Sequence, residues 1–150
     1  MNNDHDDRSI TIRLASQGDA EQLAHGCEQL GYPVAIEHLS FRLTPLLLQS
    51  EHAPFVAERP DGHLLGWVHV YRCFLVHTDP EAQIGELVVD AAVHRSGVGN
   101  CLMQAAEQWA REQGCWAIYL RSRVSRADAH QFYRKIGYEV VTSSVFYKLL

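Results

Sequence analysis

Leu87-Val-Val-Asp-Ala-Ala-Val-His-Arg-Ser-Gly-Val-Gly-Asn-Cys-Leu102 reads as a buried strand ending at Asp90, a short loop, and a helix that opens around Gly97. Gly97 and Gly99 let the backbone turn tightly and leave amide N–H groups uncovered by side chains. The first N–H groups of a helix have no partner within it, and the helix dipole is positive at that end. The loop is therefore an anion site, suited to a phosphate or pyrophosphate. Arg95 adds charge and Ser96 a hydroxyl donor. The dinucleotide fingerprint G-x-G-x-x-G fails, because Leu102 stands where its third glycine belongs, and no G-x-x-x-x-G-K-[ST] phosphate loop is present.

Outward from this segment the chain alternates strand and helix patterns. Ile10 to Leu14 alternates apolar and polar residues as a strand does. Ser16 is placed to cap a helix running through Leu23, Cys27 and Leu30 to a stop at Gly31 and Pro33. Ile36, Leu39, Leu43 and Leu47 mark a second helix, with a break expected near Pro45. Phe55 to Glu58, Leu64 to Tyr71 and Ile84 to Val89 read as three strands joined by short turns, the first at Pro60-Asp-Gly62. Downstream, Val98, Leu102, Ala105, Ala106, Trp109 and Ala110 share a helix face closed by Gly114. Trp116 to Leu120 is a strand, and Ala127 to Lys135 a short helix ended by Gly137. Tyr138 to Val141 and Val145 to Lys148 are strand material. The order β-α-α-β-β-β-α-β-α-β predicts an α/β fold, a mixed and partly antiparallel sheet flanked by helices. Residues 1–9 are expected to form a disordered or extended tail, and residues 10–150 a single domain.

Composition narrows the function. A chain of 150 residues suits one domain with a core of its own. Its 13 Lys and Arg against 18 Asp and Glu give a net charge of −5, which argues against a nucleic-acid partner held by phosphate neutralisation and fits a cationic small molecule. No apolar run approaches the ~18 residues of a membrane span, and the acidic start is unlike a signal peptide. A cytoplasmic protein with no membrane partner is expected. Cys27, Cys73, Cys101 and Cys115 lack zinc spacing, and the nine histidines form no ligand pattern, so reduced thiols and no metal are expected.

The loop His94-Arg-Ser-Gly97-Val-Gly99 resembles the acyl-CoA loop [QR]-x-x-G-x-[GA] of the Gcn5-related N-acetyltransferase (GNAT) family. The spacing from Asp90 to Gly97 matches the family's usual one, although His94 stands where Gln or Arg is usual and Arg95 lies beside it. Ala129-His-Gln-Phe-Tyr-Arg-Lys-Ile-Gly-Tyr138 is similar to the family's A-x-x-F-Y-x-x-x-G-[FY] segment. The order of elements is also the family's, so the resemblance covers residues 10 to 150.

That resemblance implies an acetyl-CoA-dependent N-acetyltransferase acting on a primary amine. Its cosubstrate, acetyl-CoA, would lie in a cleft where two parallel strands splay apart. Leu87, Val88 and Val89 would offer backbone groups to the pantetheine arm. His94, Arg95, Ser96, Gly97, Val98, Gly99 and Asn100 would hold the pyrophosphate, and Phe132 joins the coenzyme-binding set. An Asn that often touches the pantetheine has no counterpart in Ser122 to Arg126. Tyr133 takes the family's position for the acid that protonates the leaving thiolate; packing on a helix face with Ala129 and Ile136 is the plainer reading. A strand N–H near Val88 suits the oxyanion.

An attacking amine must be neutral, so a base or a water chain must take its proton. Glu86, on the strand beside the acyl site, is the leading base candidate, ahead of His69 and His130. Trp67, Trp109 and Trp116 read as core. Polyamines, aminoglycosides, amino acids and protein amino termini all remain open as acceptors. A homodimer pairing through the apolar edge Val145 to Tyr147 is the oligomer expected. The competing reading is a non-catalytic acyl-CoA-binding or regulatory module of the same fold.

Overall fold

Leu64–Cys73 is a ten-residue strand whose first half is buried on both faces, as its run of apolar residues requires of a central strand. Around it the chain builds one mixed sheet. The computed structural model describes residues 9–122 and 126–150, which fall into two compact units, one reaching Leu120 and the other beginning at Arg121.

The first unit contains β1 (Thr11–Leu14), α1 (Ala20–Gln29), α2 (Ile36–Leu48), β2 (His52–Glu58), β3 (Leu64–Cys73), β4 (Glu81–Val89), α3 (Val98–Glu112) and β5 (Ala117–Leu120). The strands lie in the order β1-β2-β3-β4-β5. The first four form an antiparallel meander, and β5 joins β4 in parallel after the α3 crossover. The expected order of elements is found as far as α4 (Ala127–Lys135), the helix of the second unit.

Side chains alternate across a strand, so each sheet face has its own core. Val56, Trp67 and Val88 share one face with Leu23 of α1 and Leu43 of α2. Val68, Val70, Ala82 and Ile84 fill the other face, where α3 crosses the strands with Val98, Leu102, Met103 and Ala106 buried. Met103 joins this face although the apolar pattern had not included it.

The chain enters α1 through a 3-10 turn at Gln17–Asp19. The Asp19 carboxylate accepts from the Ser16 N–H at 2.8 Å and from two nitrogens of Arg13 at 2.8 and 2.9 Å. Arg13 also binds Glu58 across the β1–β2 ladder.

Four expectations need correction. α2 runs past Pro45 to Leu48, because a proline one turn from the end removes an N–H without leaving a long ladder to break. β2 begins at His52 and includes Pro54. The Pro54 carbonyl accepts from Ala15 N at 2.7 Å, beyond Leu14↔Phe55, the last pair of that ladder, so the missing N–H deprives no strand of a bond. Trp116 is 63% exposed and is not core.

The fourth concerns the carboxyl terminus, where residues 138–150 form no strand and Val141, Phe146 and Tyr147 are exposed. Strand propensity records fit to a pleated, half-buried surface, and these segments have no ladder partner among the described residues. Of the expected tail, only Ser9 falls within the described residues, and residues 123–125 of the Ser122–Arg126 segment also lie outside them.

Candidate active site

The site begins where β4 and β5 part. Their ladder pairs Glu81–Ile84 with Ala117–Leu120 and goes no further, which leaves Gly85–Val89 without a ladder partner on that edge among the described residues. At the same point the β3–β4 register slips, so that Gly85 and Glu86 together oppose His69. Such a bulge bends its strand and increases the local twist. Gly66 allows β4 to close down beyond it: a Cβ on Gly66 would lie 2.4 Å from the Val88 carbonyl oxygen. Leu87, Val88 and Val89, on this unpaired stretch of β4, are the residues that the family resemblance assigns to the pantetheine arm.

At the end of β4 the Asp90 carboxylate accepts from Ala92 N at 2.9 Å and starts a 3-10 turn over Ala91–Val93. The His94 ring turns back to the strand, with Nε2 3.0 Å from the Val89 carbonyl oxygen, a contact in which the imidazole N–H donates. The Ser96 hydroxyl donates to the Val93 carbonyl and braces the loop. Arg95 (φ 67°) and Gly97 (φ 92°) are both left-handed, and Arg95 is the single non-glycine residue with positive φ among the described residues. Left-handed residues interleaved in a turn gather N–H groups into an anion-binding concavity.

The first bond of the α3 ladder is Cys101 N to Gly97 O at 3.0 Å, so the N–H groups of Val98, Gly99 and Asn100 have no acceptor within the helix. Nothing lies within 4 Å of the place a Gly97 Cβ would take. These open amides suit an anion such as a pyrophosphate, and Arg95 of the same loop adds a positive charge.

Glu86 stands on the α1 and α2 side of the sheet. The Trp67 indole faces its carboxyl group and favours the ionised form. Glu86 is reached by water yet crowded by protein, and this burial raises its pKa, with Trp67 opposing. Both helices face it. Burial pushes the Cys27 thiol of α1 upward, the charge of Glu86 adds to that, and Arg42 of α2 pulls the other way. Trp67 is held in turn by Gly26, where a Cβ would come 2.5 Å from Cζ3 of the indole. His69, which opposes Glu86 in the β3–β4 ladder, has its Nε2 3.0 Å from His52 Nδ1.

A cavity of about 510 Å³ opens between α1, the start of β3 and the end of β4. Glu21, Glu28 and Asp90 line it together with His25, His63 and His94, and no Lys or Arg does. Trp67 and Val88 form part of its wall; Glu86 lies outside the lining and is joined to it through Trp67. The volume is within the range of small-molecule sites, about 300–1,000 Å³.

The second unit carries the other expected pair. On α4, Phe132 meets Tyr133 edge-on at 5.2 Å between ring centroids, and Tyr133 meets Tyr138 in the same way at 6.0 Å. Burial raises the pKa of the Tyr133 phenol, with Arg126 opposing, so the hydroxyl keeps its proton at neutral pH.

The first unit thus brings together Glu86, Leu87–Val89 and His94–Asn100, while Phe132 and Tyr133 are neighbours within the second. Trp67 is core, as the sequence predicts, and it also lowers the pKa of Glu86, which no spacing in the sequence signals. Sequence reasoning had not singled out His52, whose link to His69 follows from strand register rather than from any spacing. The carboxylates of the cavity carried no motif either, since Glu21 and Glu28 meet Asp90 only when α1 packs on the sheet.

A parted parallel strand pair above a glycine-opened helix terminus defines a class of protein, the CoA-dependent acyltransferases. The chain belongs to the acetyltransferase (GNAT) family, whose sequence pattern matches residues 20–138. It is 33% identical over 144 residues to the aminoglycoside N(6')-acetyltransferase type 1 of Stenotrophomonas maltophilia, across 93% of this chain and 92% of that protein.

Among solved structures, a putative acetyltransferase from Agrobacterium tumefaciens superposes with a TM-score of 0.84 at 19% identity, over 93% of this chain and 99% of that one. An aminoglycoside N-acetyltransferase in complex with CoA superposes with a TM-score of 0.82 at 18% identity, over 94% and 95%. At such identities the likeness is one of fold. The expected family, fold and reaction class, acetyl-CoA-dependent N-acetylation, are those found.

Proposed function

We propose that the chain acetylates a cationic amine of a small molecule, of the kind an aminoglycoside presents, with Glu86 as base and Tyr133 as acid. The observation that carries this reading is the lining of the 510 Å³ cavity, three carboxylates with no Lys or Arg. Such a wall attracts ammonium groups and repels anionic acceptors. The relationship to an aminoglycoside N(6')-acetyltransferase over nearly the full length of both chains supports the same class of acceptor.

Acetyl-CoA, when bound, supplies the acetyl group as a thioester open to attack. The backbone of Leu87, Val88 and Val89 receives the pantetheine arm on the free edge of β4, and a strand N–H near Val88 meets the developing negative charge. The amides of Arg95 through Asn100, with the Arg95 side chain, hold the pyrophosphate, and Phe132 packs beside the coenzyme. His94 belongs to this set through its hold on the Val89 carbonyl, which fixes the loop to the strand. Glu86 takes the proton from the acceptor nitrogen, directly or through one water, and its raised pKa brings it nearer the value a base needs at neutral pH. Tyr133 gives its proton to the departing sulfur.

Residues 10–150 act as one acetyltransferase domain, a reading supported by a family match that runs through both units. We place the protein in the cytoplasm on its four free cysteines, and infer a homodimer from the exposed apolar side chains of Val145, Phe146 and Tyr147.

A thiol-release assay with acetyl-CoA tests the acceptor class, using neamine, spermidine, an amino acid and a short peptide. Neamine should give the highest kcat/KM. Turnover confined to the amino acid or the peptide would overturn the assignment.

A further inference from the structure

Two histidines beside Glu86 have no part in that scheme. His69 is opposed in the β3–β4 ladder by Gly85 and Glu86. Trp67 and His69 lie two residues apart and project from the same face of β3. Trp67 acts on the Glu86 carboxyl from that face, and opposed side chains on one face stand about 5 Å apart at Cβ, which sets Glu86 and His69 side by side on the sheet.

Gly85 leaves the room this needs, because a Cβ there would come 3.0 Å from His69 Nδ1. The other ring nitrogen, Nε2, is 3.0 Å from His52 Nδ1. The two rings stack at 5.2 Å between centroids and 28° between planes. Tyr71 packs against both, at 5.3 Å from His52 and 5.4 Å from His69.

We propose that His69 and His52 form the exit route for the proton that Glu86 takes from the acceptor amine. The inference rests on Glu86 being the base. The amine proton passes to the Glu86 carboxylate and from there to His69 Nδ1. His69 Nε2–H is handed to His52 Nδ1, and His52 Nε2–H goes to solvent. One proton leaves the acceptor, one reaches water, and Glu86 is returned ionised. The titratable and charged groups around the route are Glu86 of β4, His52 of β2 and Tyr71 of β3. Cys27 of α1 and Arg42 of α2 lie on the helix side of Glu86.

Burial first and His52 second push the His69 pKa down to about 4, so His69 holds the proton only in passing it on to His52. A His69 held neutral also keeps its acceptor nitrogen available at pH 7.

The test combines a titration with kinetics on the full chain. In 15N-labelled protein, the ring nitrogens of His69 should report two titration steps, one of them belonging to Glu86. Glu86→Gln should abolish that step; a His69 titration identical in both proteins overturns the route, whatever the acceptor.

With neamine, His69→Gln and His52→Gln should each lower kcat about tenfold with KM unchanged, and added imidazole should restore part of it. Unchanged kcat in both variants, or a loss that imidazole does not relieve and that appears in KM, overturns it as well. Should His69→Gln fail to fold, His52→Gln at the outer end carries the kinetic arm. Full activity in Glu86→Gln would instead refute the base itself, and loss in Glu86→Gln with normal His variants would refute the route alone.

Discussion

Gly26→Ala sets two physical effects against each other at the heart of the site. Gly26 lies inside α1, where replacing glycine by alanine ordinarily stabilises a helix by about 1 kcal/mol. Here the added Cβ would stand 2.5 Å from Cζ3 and 2.9 Å from Cη2 of Trp67. Carbon atoms in contact sit about 3.5–4.0 Å apart, so helix or indole must move by roughly 1 Å. The indole has little freedom: it is 8% exposed and wedged among Leu23, Leu43, Val56 and Val88. Overpacking of this kind costs about 1–3 kcal/mol.

The clash therefore outweighs the propensity, with a net loss of up to about 2 kcal/mol and a fall of several degrees in Tm. Urea unfolding measures the loss, and Trp67→Phe supplies the control. Without the outer edge of the indole, Gly26→Ala should change sign and stabilise by about 0.5–1 kcal/mol over Trp67→Phe alone. A stabilising Gly26→Ala in the wild-type background, or a cycle additive to within about 0.5 kcal/mol, would show that the packing reasoning is wrong. Because Trp67 also lowers the Glu86 pKa, a displaced indole should move the acidic limb of the pH–rate profile upward.

Other outcomes can be checked beside it. Glu86→Gln should reduce kcat at least about 100-fold with neamine. The same change should raise Tm at neutral pH, because a carboxyl whose folded pKa is raised loses stability as pH rises through that pKa; the gain should vanish in acid, where Glu86 is protonated. Asp19→Asn breaks a carboxylate that is 5% exposed and paired with the more exposed Arg13, and should cost about 1–3 kcal/mol at pH 7 by chemical denaturation. Arg13 holds the Asp19 pKa below its ordinary value, so the wild type should lose this contribution only as pH falls below about 4. Gly66→Ala should force the β4 backbone away from β3 at Val88 and weaken acetyl-CoA binding, measured by calorimetry, more than it lowers Tm. Gly97→Val should cost about 1–2 kcal/mol through its left-handed φ and reduce CoA affinity with little effect on acceptor KM.

Most of the fold was legible in the sequence because its determinants are local. The glycines that stop α1, α3 and α4 are left-handed as helix ends require, at Gly31, Gly114 and Gly137. The apolar runs of β2 and β3 and the Asp61-Gly62 turn between them define a hairpin without reference to anything distant. The anion-binding opening of α3 is equally local, since two glycines and a helix start suffice to make it.

The carboxyl-terminal strands did not follow from their β-rich composition, because a strand is completed by a partner edge and composition says nothing about where that edge is. Pro45 was misleading for the opposite reason, its effect depending on how much ladder remained beyond it.

By itself, then, the sequence determined the order of elements as far as α4, the glycine-opened start of α3 and the family. Only tertiary structure decided what surrounds Glu86. The slip at Gly85 sets Glu86 against His69, the packing of α1 brings Gly26 onto Trp67, and strand pairing joins His52 to His69 across seventeen positions of chain. Helix and turn signals repeat every few residues and can be read along the chain. Burial, register and close approach arise between segments far apart in sequence, and these are what shift the proton affinities of Glu86 and His69.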